Sequence, residues 1–216
     1  LGDLGLQDRT LVVFASDNGP ERKEFTGYDP AFFNSSGGFR GFKRDHTDGG
    51  IRVPFIARWP GRIAPGGVSA HVGYFGDFMP TALELAGLDR PADLDGTSLL
   101  PVLLGRPKAP ERHGGLYWEY HAGGSSQAAL LDGRWKGLRS ERRDAPLELY
   151  DLTTDPAESL DVAPQHPDLV ARIETLLRTS RTEAPNWPLR DPARAVAREL
   201  VAWVSSCQAL PWMMRC

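Results

Sequence analysis

The sequence predicts an α/β protein in which a mostly parallel sheet is followed by a small antiparallel sheet with a helix. Residues 10–15 form an apolar run rich in β-branched and aromatic side chains, which is typical of a strand covered on both faces in a parallel sheet. Short strand-like runs between residues 116 and 152 indicate antiparallel strands. Residues 168–178 then carry one apolar stripe at helical spacing.

The first strand is followed by a long stretch without regular periodicity. The strand ends at the turn-forming residues 16–20. Residues 19–48 are rich in Gly, Pro, Asn, Ser and charged side chains. This composition predicts a long irregular excursion, and such loops inside compact domains are usually functional or disordered. Residues 51–59 return to strand character and are closed by a Pro-Gly pair.

Two helices are predicted next. The first covers residues 77–86, because Pro80 is tolerated in a first turn and Gly87 supplies the C-terminal stop. A shorter helix is predicted over residues 98–104, where Gly105 ends it.

The sequence pattern of the C-terminal half differs from that of the N-terminal half, because short strand-like runs follow one another there. Asp132 and Gly133 form a strong signal for a two-residue hairpin turn between two of its strands. An amphipathic pattern like that of residues 168–178 recurs over residues 193–204. The predicted strands cover residues 116–120, 127–131, 134–139 and 147–152. These changes predict one domain over 1–105, a small antiparallel α+β subdomain over 106–190 and an atypical helical tail over 191–216.

Composition excludes several classes of function. The 216 residues carry a net charge of −3, which gives no electrostatic reason to expect nucleic acid or an anionic membrane as a partner. The apolar runs are too short to span a bilayer, and no pattern of a signal peptide follows Leu1, so we expect a chain cut from a longer one. Cys207 and Cys216 are close enough in sequence to pair, but two cysteines in a tail do not define a compartment.

Asp17 and Asn18 are the first candidate functional residues. They follow the predicted buried strand, which is where open α/β sheets place their binding sites. A carboxylate and an amide oxygen side by side are hard ligands suited to Ca²⁺ or Mg²⁺. Asp, Asn and Gly are also the commonest turn formers, so from these residues alone a simple turn is the favoured interpretation.

Lys43 is the second candidate. It lies in a basic loop between glycines that leads toward the next predicted strand, and a lysine held there can neutralise an oxyanion. The alternative is a solvated charged loop, which composition alone favours. Arg52 alternates with apolar neighbours and is interpreted as a structural ion-pair or packing residue.

Several segments together point to one family. In the N-terminal half they are residues 12–19 (VVFASDNG), 40–45 (RGFKRD), 49–61 (GGIRVPFIARWPG), 77–81 (DFMPT), 85–87 (LAG) and 94–99 (LDGTSL). Further on they are Trp118-Glu119, residues 133–136 (GRWK), residues 148–152 (ELYDL) and Asp155-Pro156. In order and spacing these segments resemble the type I sulfatases, the arylsulfatase-like members of the alkaline phosphatase superfamily, over roughly residues 4–188.

The resemblance implies a fold, an activity and roles for the candidates. It implies the C-terminal part of an alkaline-phosphatase-like sandwich and hydrolysis of sulfate monoesters, either small molecules or glycans. Asp17 and Asn18 would be the second pair of ligands of an active-site Ca²⁺ (or Mg²⁺), and Lys43 would bind the sulfate group beside the leaving oxygen. The family's nucleophile is a formylglycine made from a Cys or Ser in Cys/Ser-x-Pro-x-Arg. No Cys-x-Pro or Ser-x-Pro occurs here, so it would lie upstream and the chain would carry about half of the metal site.

Some positions and alternatives stay open. Asp48 stands where relatives often have Glu and keeps the charge with a shorter reach, and His46 is interpreted as a solvent-facing loop residue rather than a proton carrier. His113 and His121 receive no role.

The alternatives to a sulfate monoester hydrolase are a phosphate or phosphonate monoester hydrolase of the same superfamily and a non-catalytic fragment or pseudoenzyme. Many members of the family are exported or lysosomal.

Overall fold

A computed structural model of the chain describes residues 1–106, 115–121, 125–140, 142 and 144–189. The helix predicted over 193–204, His113 and both cysteines lie outside these residues. The chain divides into two compact units, the first made of Leu1–Asn18 with Val53–Gly114 and the second of Gly19–Arg52 with Gly115–Cys216. Segment 19–52 therefore groups with the C-terminal sheet, and the domain bounds inferred from sequence stay a prediction.

Short elements make up most of both units. The helices are α1 (Lys23–Thr26), α2 (Asp48–Ile51), α3 (Phe78–Ala86), α4 (Leu100–Leu103) and α5 (Pro167–Thr179). The strands are β1 (Val12–Ala15), β2 (Phe55–Arg58), β3 (Leu116–Tyr120), β4 (Ser126–Leu131), β5 (Trp135–Arg139) and β6 (Glu148–Asp151). Single 3₁₀ turns cover Gln7–Arg9, Phe75–Asp77 and Ala163–Gln165. None of the helices in the described part of the chain is long and apolar enough to cross a membrane.

The first unit contains a two-stranded antiparallel ribbon. Strand β1 pairs with β2 so that Val12 lies opposite Arg58 and Ala15 opposite Phe55. The strand was predicted, but the expectation that both its faces are covered is wrong for this chain, since the side chain of Phe14 is 61% exposed. Within the described residues, these two strands alone form the sheet of this unit, and they are not parallel. A two-stranded ribbon has too few neighbours to bury an apolar strand on both faces.

The helix α3 ends at Ala86, as the sequence predicted, and begins one residue later than predicted, at Phe78. Its first turn is anchored by Asp77, which is fully buried and whose carboxylate oxygens accept the N–H groups of Thr97, at 2.8 Å, and Tyr74, at 3.0 Å. Gly87 follows the helix in the left-handed conformation, with a φ of 66°. The helix predicted over 98–104 is shorter and is α4.

The second unit is built on the predicted antiparallel sheet, with strand order β3-β4-β5-β6. Strands β4 and β5 are joined by a turn in which Asp132 and Gly133 have φ values of 54° and 68°. The N–H of Arg134 donates to the carbonyl oxygen of Leu131 at 3.1 Å and closes the turn. Both central residues thus have the positive φ that Asp-Gly hairpin turns require, as the sequence predicted.

The two faces of this sheet pack against different partners. On one face, α5 places the fully buried side chain of Ile173 over Gly137, where a Cβ would lie only 2.5 Å from an Ile173 methyl group. On the other face, Lys136 and Leu138 point toward the segment 40–52, because side chains alternate along a strand. The core under α5 consists of Ala129, Leu131, Leu147, Leu149, Leu169, Ile173, Leu176 and Leu177. Burying each of the larger side chains stabilises the fold by about 1.5–3 kcal/mol.

The strand predicted over residues 51–59 is too long. Residues 48–51 form the single helical turn α2, and extended structure is confined to β2. Gly49 and Gly50 are folded against backbone carbonyl groups of the preceding loop, which holds residues 48–51 in this helical turn. The irregular excursion over residues 19–48 was predicted correctly, apart from the one turn of α1.

Candidate functional site

Asp17 and Asn18 lie directly after β1, as the sequence predicted. Asp17 is exposed, and the hydroxyl group of Ser16 donates to the backbone carbonyl oxygen of Asn18 at 2.8 Å. Their oxygen atoms are of the kind that Ca²⁺ and Mg²⁺ prefer, so the residues fit a hard cation in chemistry, although two side chains are fewer than either ion needs. No group of three or more His, Cys, Asp or Glu side chains suited to a metal occurs among the residues that the structure describes. The assignment as ligands stays a prediction.

Lys43 projects from the loop of the second unit. Its N–H donates to the carbonyl oxygen of Pro20 at 2.9 Å, and its ammonium nitrogen lies 3.5 Å from a carboxylate oxygen of Glu21. The side chain is 40% exposed, so the ammonium group is accessible to an anion. The N–H of Arg22 lowers the pKa of Glu21, burial opposes this, and the charges of Arg44 and Lys43 lower it further.

Glycines close the loop that carries Lys43. The N–H of Gly49 donates to the carbonyl oxygen of Arg40 at 2.7 Å, and the carbonyl of Gly50 accepts the N–H of Gly19 at 2.8 Å. A Cβ at Gly50 would lie 2.1 Å from the carbonyl oxygen of Asp45, so no other residue fits there without a backbone shift. Close backbone approach is the physical reason for glycine at these positions.

A buried ion cluster joins this loop to the sheet. The ammonium group of Lys136 lies 2.6 Å from a carboxylate oxygen of Asp48 and 2.9 Å from one of Glu158. The side chain of Lys136 is 1% exposed and that of Glu158 is 0% exposed. Arg52 adds a second positive charge 3.4 Å from Asp48 and lies over the ring of Phe39, which confirms its predicted structural role. The two carboxylates are thus matched by two cations, as buried charges require.

His46 is not the solvent-facing residue that the sequence predicted. Its Nδ1 is buried and has no hydrogen-bond partner in the part of the chain that the structure describes. Burial, and secondarily the charge of Lys136, lower the pKa of the imidazole from 6.5 to about 4. His46 is therefore neutral at physiological pH, which removes it as a ready acid. The correction arises because the loop folds back on the sheet, and sequence alone does not show this contact.

His46 also borders a cleft of about 280 Å³ beside the sheet. Two of the arginines that line the cleft already have carboxylate partners, since Arg139 pairs with Glu174 and Arg40 lies 4.0 Å from Glu148. The cleft therefore has a polar lining, but those two positive charges are largely compensated.

A second polar network surrounds Glu119. Its carboxylate accepts the hydroxyl group of Tyr117 at 2.6 Å and the Nε–H of Arg181 at 2.7 Å, and His121 lies 3.3 Å away. Burial alone would raise the pKa of Glu119, but these hydrogen bonds outweigh it and leave the pKa lowered. Burial, followed by the bond to Glu119, raises the pKa of Tyr117. His121 bonds Ser125 at 2.7 Å and is enclosed, so the network supports the sheet edge rather than presenting a reactive group.

Acidification is expected to destabilise the protein through His46. Its folded pKa of about 4 lies below the ordinary 6.5, so the unfolded chain takes up the proton first as the pH falls. The contribution of His46 to the free energy of unfolding is complete above pH 6.5 and is lost as the pH falls toward 4. The loss amounts to up to about 3 kcal/mol, because each unit of difference between the unfolded and the folded pKa is worth about 1.4 kcal/mol. Urea unfolding at stepped pH measures this, and His46→Gln should flatten the profile in that window. Parallel profiles for the two proteins would contradict it.

Comparison with known proteins defines the class. Mouse steryl-sulfatase is 31% identical over 84% of this chain and 34% of its own length. Human arylsulfatase A is 33% identical over 82% of this chain and 38% of its own length. A solved complex of a protein with its substrate D-glucosamine-2-N,6-O-disulfate matches with a TM-score of 0.63 and 25% identity, over 83% of this chain and 35% of that one. This chain thus spans between about a third and two fifths of the length of these three proteins.

These matches confirm that the chain is sulfatase-like and place its fold in the alkaline-phosphatase-like α/β class, which the matching solved sulfatases share. More narrowly, the model of one family matches residues 38–183, which include Lys43 and the whole of the antiparallel sheet. The chain belongs to that family, described as N-sulphoglucosamine sulphohydrolase, C-terminal.

The structure also shows functional candidates that sequence reasoning did not assign. Lys136 was noted only as part of a family-like segment, and Glu158 was not noted at all. One signal was present: Lys136 shares its strand face with Leu138, and a lysine on the inward face of a strand needs a buried carboxylate. Glu158 gave no such signal, since its partners lie far away in the sequence.

Proposed function

We propose that this chain is the C-terminal part of a sulfuric ester hydrolase that acts on sulfate monoesters. The observation that carries the proposal is the position of Lys43, an accessible cation on a glycine-closed loop inside the region that the sulfatase family model matches. Sulfated sugars belong to the proposed substrate class, since a matching solved protein has a disulfated glucosamine as its substrate.

In this proposal each candidate residue has one task. The ammonium group of Lys43 leaves Glu21 and binds the sulfate oxygens, where it neutralises the negative charge that grows as the ester bond breaks. Asp17 and Asn18 donate two oxygen atoms to a Ca²⁺ or Mg²⁺ ion. When present, the metal and a formylglycine supply the Lewis acid and the nucleophile of the reaction.

Removing the Lys43 ammonium group should sharply lower the activity of the full-length protein. Lys43→Ala is expected to reduce the turnover of a chromogenic aryl sulfate by about 100-fold or more, because one preorganised charge-stabilising donor is worth that much. Steady-state kinetics with the aryl sulfate and with a glucosamine sulfate measure the effect.

The matched control is Lys23→Ala, which removes a more exposed lysine of the same unit that pairs with Asp29 at 2.8 Å. It should leave turnover unchanged. If Lys43→Ala behaved like this control, Lys43 would not be the sulfate ligand. If the full-length protein turned over an aryl phosphate faster than the aryl sulfate, it would be a phosphate monoester hydrolase instead.

A further inference from the structure

Glu158 combines complete burial with an unfavourable backbone conformation. Its φ is 53°, a left-handed value that costs a non-glycine residue free energy and persists only where the surroundings enforce it. One carboxylate oxygen lies 2.9 Å from the ammonium group of Lys136, and the other accepts the backbone N–H of Asp48 at 2.6 Å. The side chain therefore joins the segment after β6 to the first residue of α2.

From Asp48 the connection continues to Lys43 through the backbone. Asp48 begins α2, and the next residue, Gly49, donates its N–H to Arg40 at 2.7 Å. Lys43 lies between these two ends and is fixed by its own bond to Pro20. Segment 40–50 is thus closed on itself and held to the sheet at Asp48, where both its side chain and its N–H have buried partners.

We infer that Lys136, Asp48 and Glu158 form a positioning cluster that fixes the loop carrying Lys43. This inference rests on the proposed function for the role of Lys43, whereas the fixing of the loop stands on the contacts alone. None of the three side chains needs to touch a substrate. A lysine side chain has a long flexible stem, so its ammonium group can be held in one place only if the backbone beneath it is fixed.

Glycine at position 158 provides a sharp test, because it removes the side chain and also relieves the positive φ. In the full-length protein, Glu158→Gly should accelerate hydrogen–deuterium exchange of the sheet peptides over residues 126–139 less than exchange of the loop, because Lys136 keeps Asp48 as a partner at 2.6 Å. Peptides over residues 40–50 should exchange faster by about tenfold to 100-fold, the factor that one lost hydrogen bond to a charged group represents. Glu158→Gln keeps an acceptor oxygen for Asp48 and should show a smaller increase.

Asp132→Gly is the matched control. Asp132 has a φ of 54°, but it lies in the exposed β4–β5 turn, where its carboxylate pairs with Arg172 at 3.0 Å. It should not alter exchange over residues 40–50. Unchanged exchange there in Glu158→Gly would overturn the inference, and so would acceleration of loop and sheet by the same factor, which would show a purely global effect.

A kinetic cycle tests whether Glu158 acts through Lys43. Glu158→Gly should lower the turnover of an aryl sulfate by about tenfold, and it should cause no further loss in a protein that already carries Lys43→Ala. Losses that multiply would overturn the inference, because they would show independent effects. If the unmodified protein turned over no sulfate ester, the proposed function would fail, whereas the exchange measurement would still decide whether the cluster fixes the loop.

Discussion

Replacing Lys136 with methionine is expected to lower the free energy of unfolding by about 3–5 kcal/mol, the cost of removing one partner from a buried ion pair. The substitution nearly preserves side-chain volume, so the loss is electrostatic rather than a packing defect. It leaves the carboxylates of Asp48 and Glu158 buried and close together. The remaining counter-charge is Arg52, whose guanidinium group lies 3.4 Å from the carboxylate of Asp48. Urea unfolding followed by tryptophan fluorescence measures the change, since Trp118 and Trp135 lie in the same sheet.

Two further variants distinguish this explanation from a general loss of stability. Arg172→Met removes a surface pair with Asp132 in which both side chains are more than half exposed, and it should cost no more than about 1 kcal/mol. Adding Asp48→Asn and Glu158→Gln to Lys136→Met should restore much of the lost stability, because no uncompensated charge then stays buried. A decrease of less than about 1 kcal/mol for Lys136→Met alone would show that the cluster is not tightly coupled to folding.

The antiparallel sheet could be predicted because its signals are local. Asp132 and Gly133 adopt the positive φ values that their side chains tolerate best, and the strands on either side follow from that turn. Helix α5 was predictable for a similar reason, since its apolar stripe is contained in one stretch of sequence. Local chemistry thus determined these elements to within two residues at their ends.

The environment of β1 could not be predicted in the same way. A continuous apolar run indicates the surroundings that a strand needs, not those that a given chain supplies. The exposed fraction of Phe14 and the antiparallel partner β2 follow from which strands are available to pair. The strand itself was predicted, but its neighbours were not.

The contacts of the candidate site depend on residues distant in sequence. Lys136 and Glu158 meet Asp48 across 88 and 110 positions, and no periodicity relates them. His46 was interpreted as a loop residue because its neighbours are polar, yet the return of the loop to the sheet buries its Nδ1. Motif resemblance selected Lys43 as a candidate, but the residues that support its loop became apparent only from the structure.

Asp17 is expected to bind the metal ion. Its replacement should therefore weaken metal binding more than the replacement of a residue that only orients a ligand. Changes to groups that merely orient a ligand cost about 10- to 100-fold in metal affinity, so Asp17→Ala in the full-length protein should weaken Ca²⁺ binding by at least about 100-fold. The reason is the loss of a charged oxygen donor from an ion that takes about 6–8 oxygen atoms. Isothermal titration with Ca²⁺ measures the affinity without relying on turnover.

The roles of Asp17 and Lys43 can be separated by the same titration. Lys43→Ala removes a cation that cannot be a metal ligand, so it should leave Ca²⁺ affinity unchanged or slightly increased while turnover falls. Asp3→Ala removes an exposed carboxylate of the same unit and serves as the control for net charge. If Asp17→Ala bound Ca²⁺ as Asp3→Ala does, the residues after β1 would form only a turn. The anion-binding role of Lys43 would then have to be judged on its own kinetics.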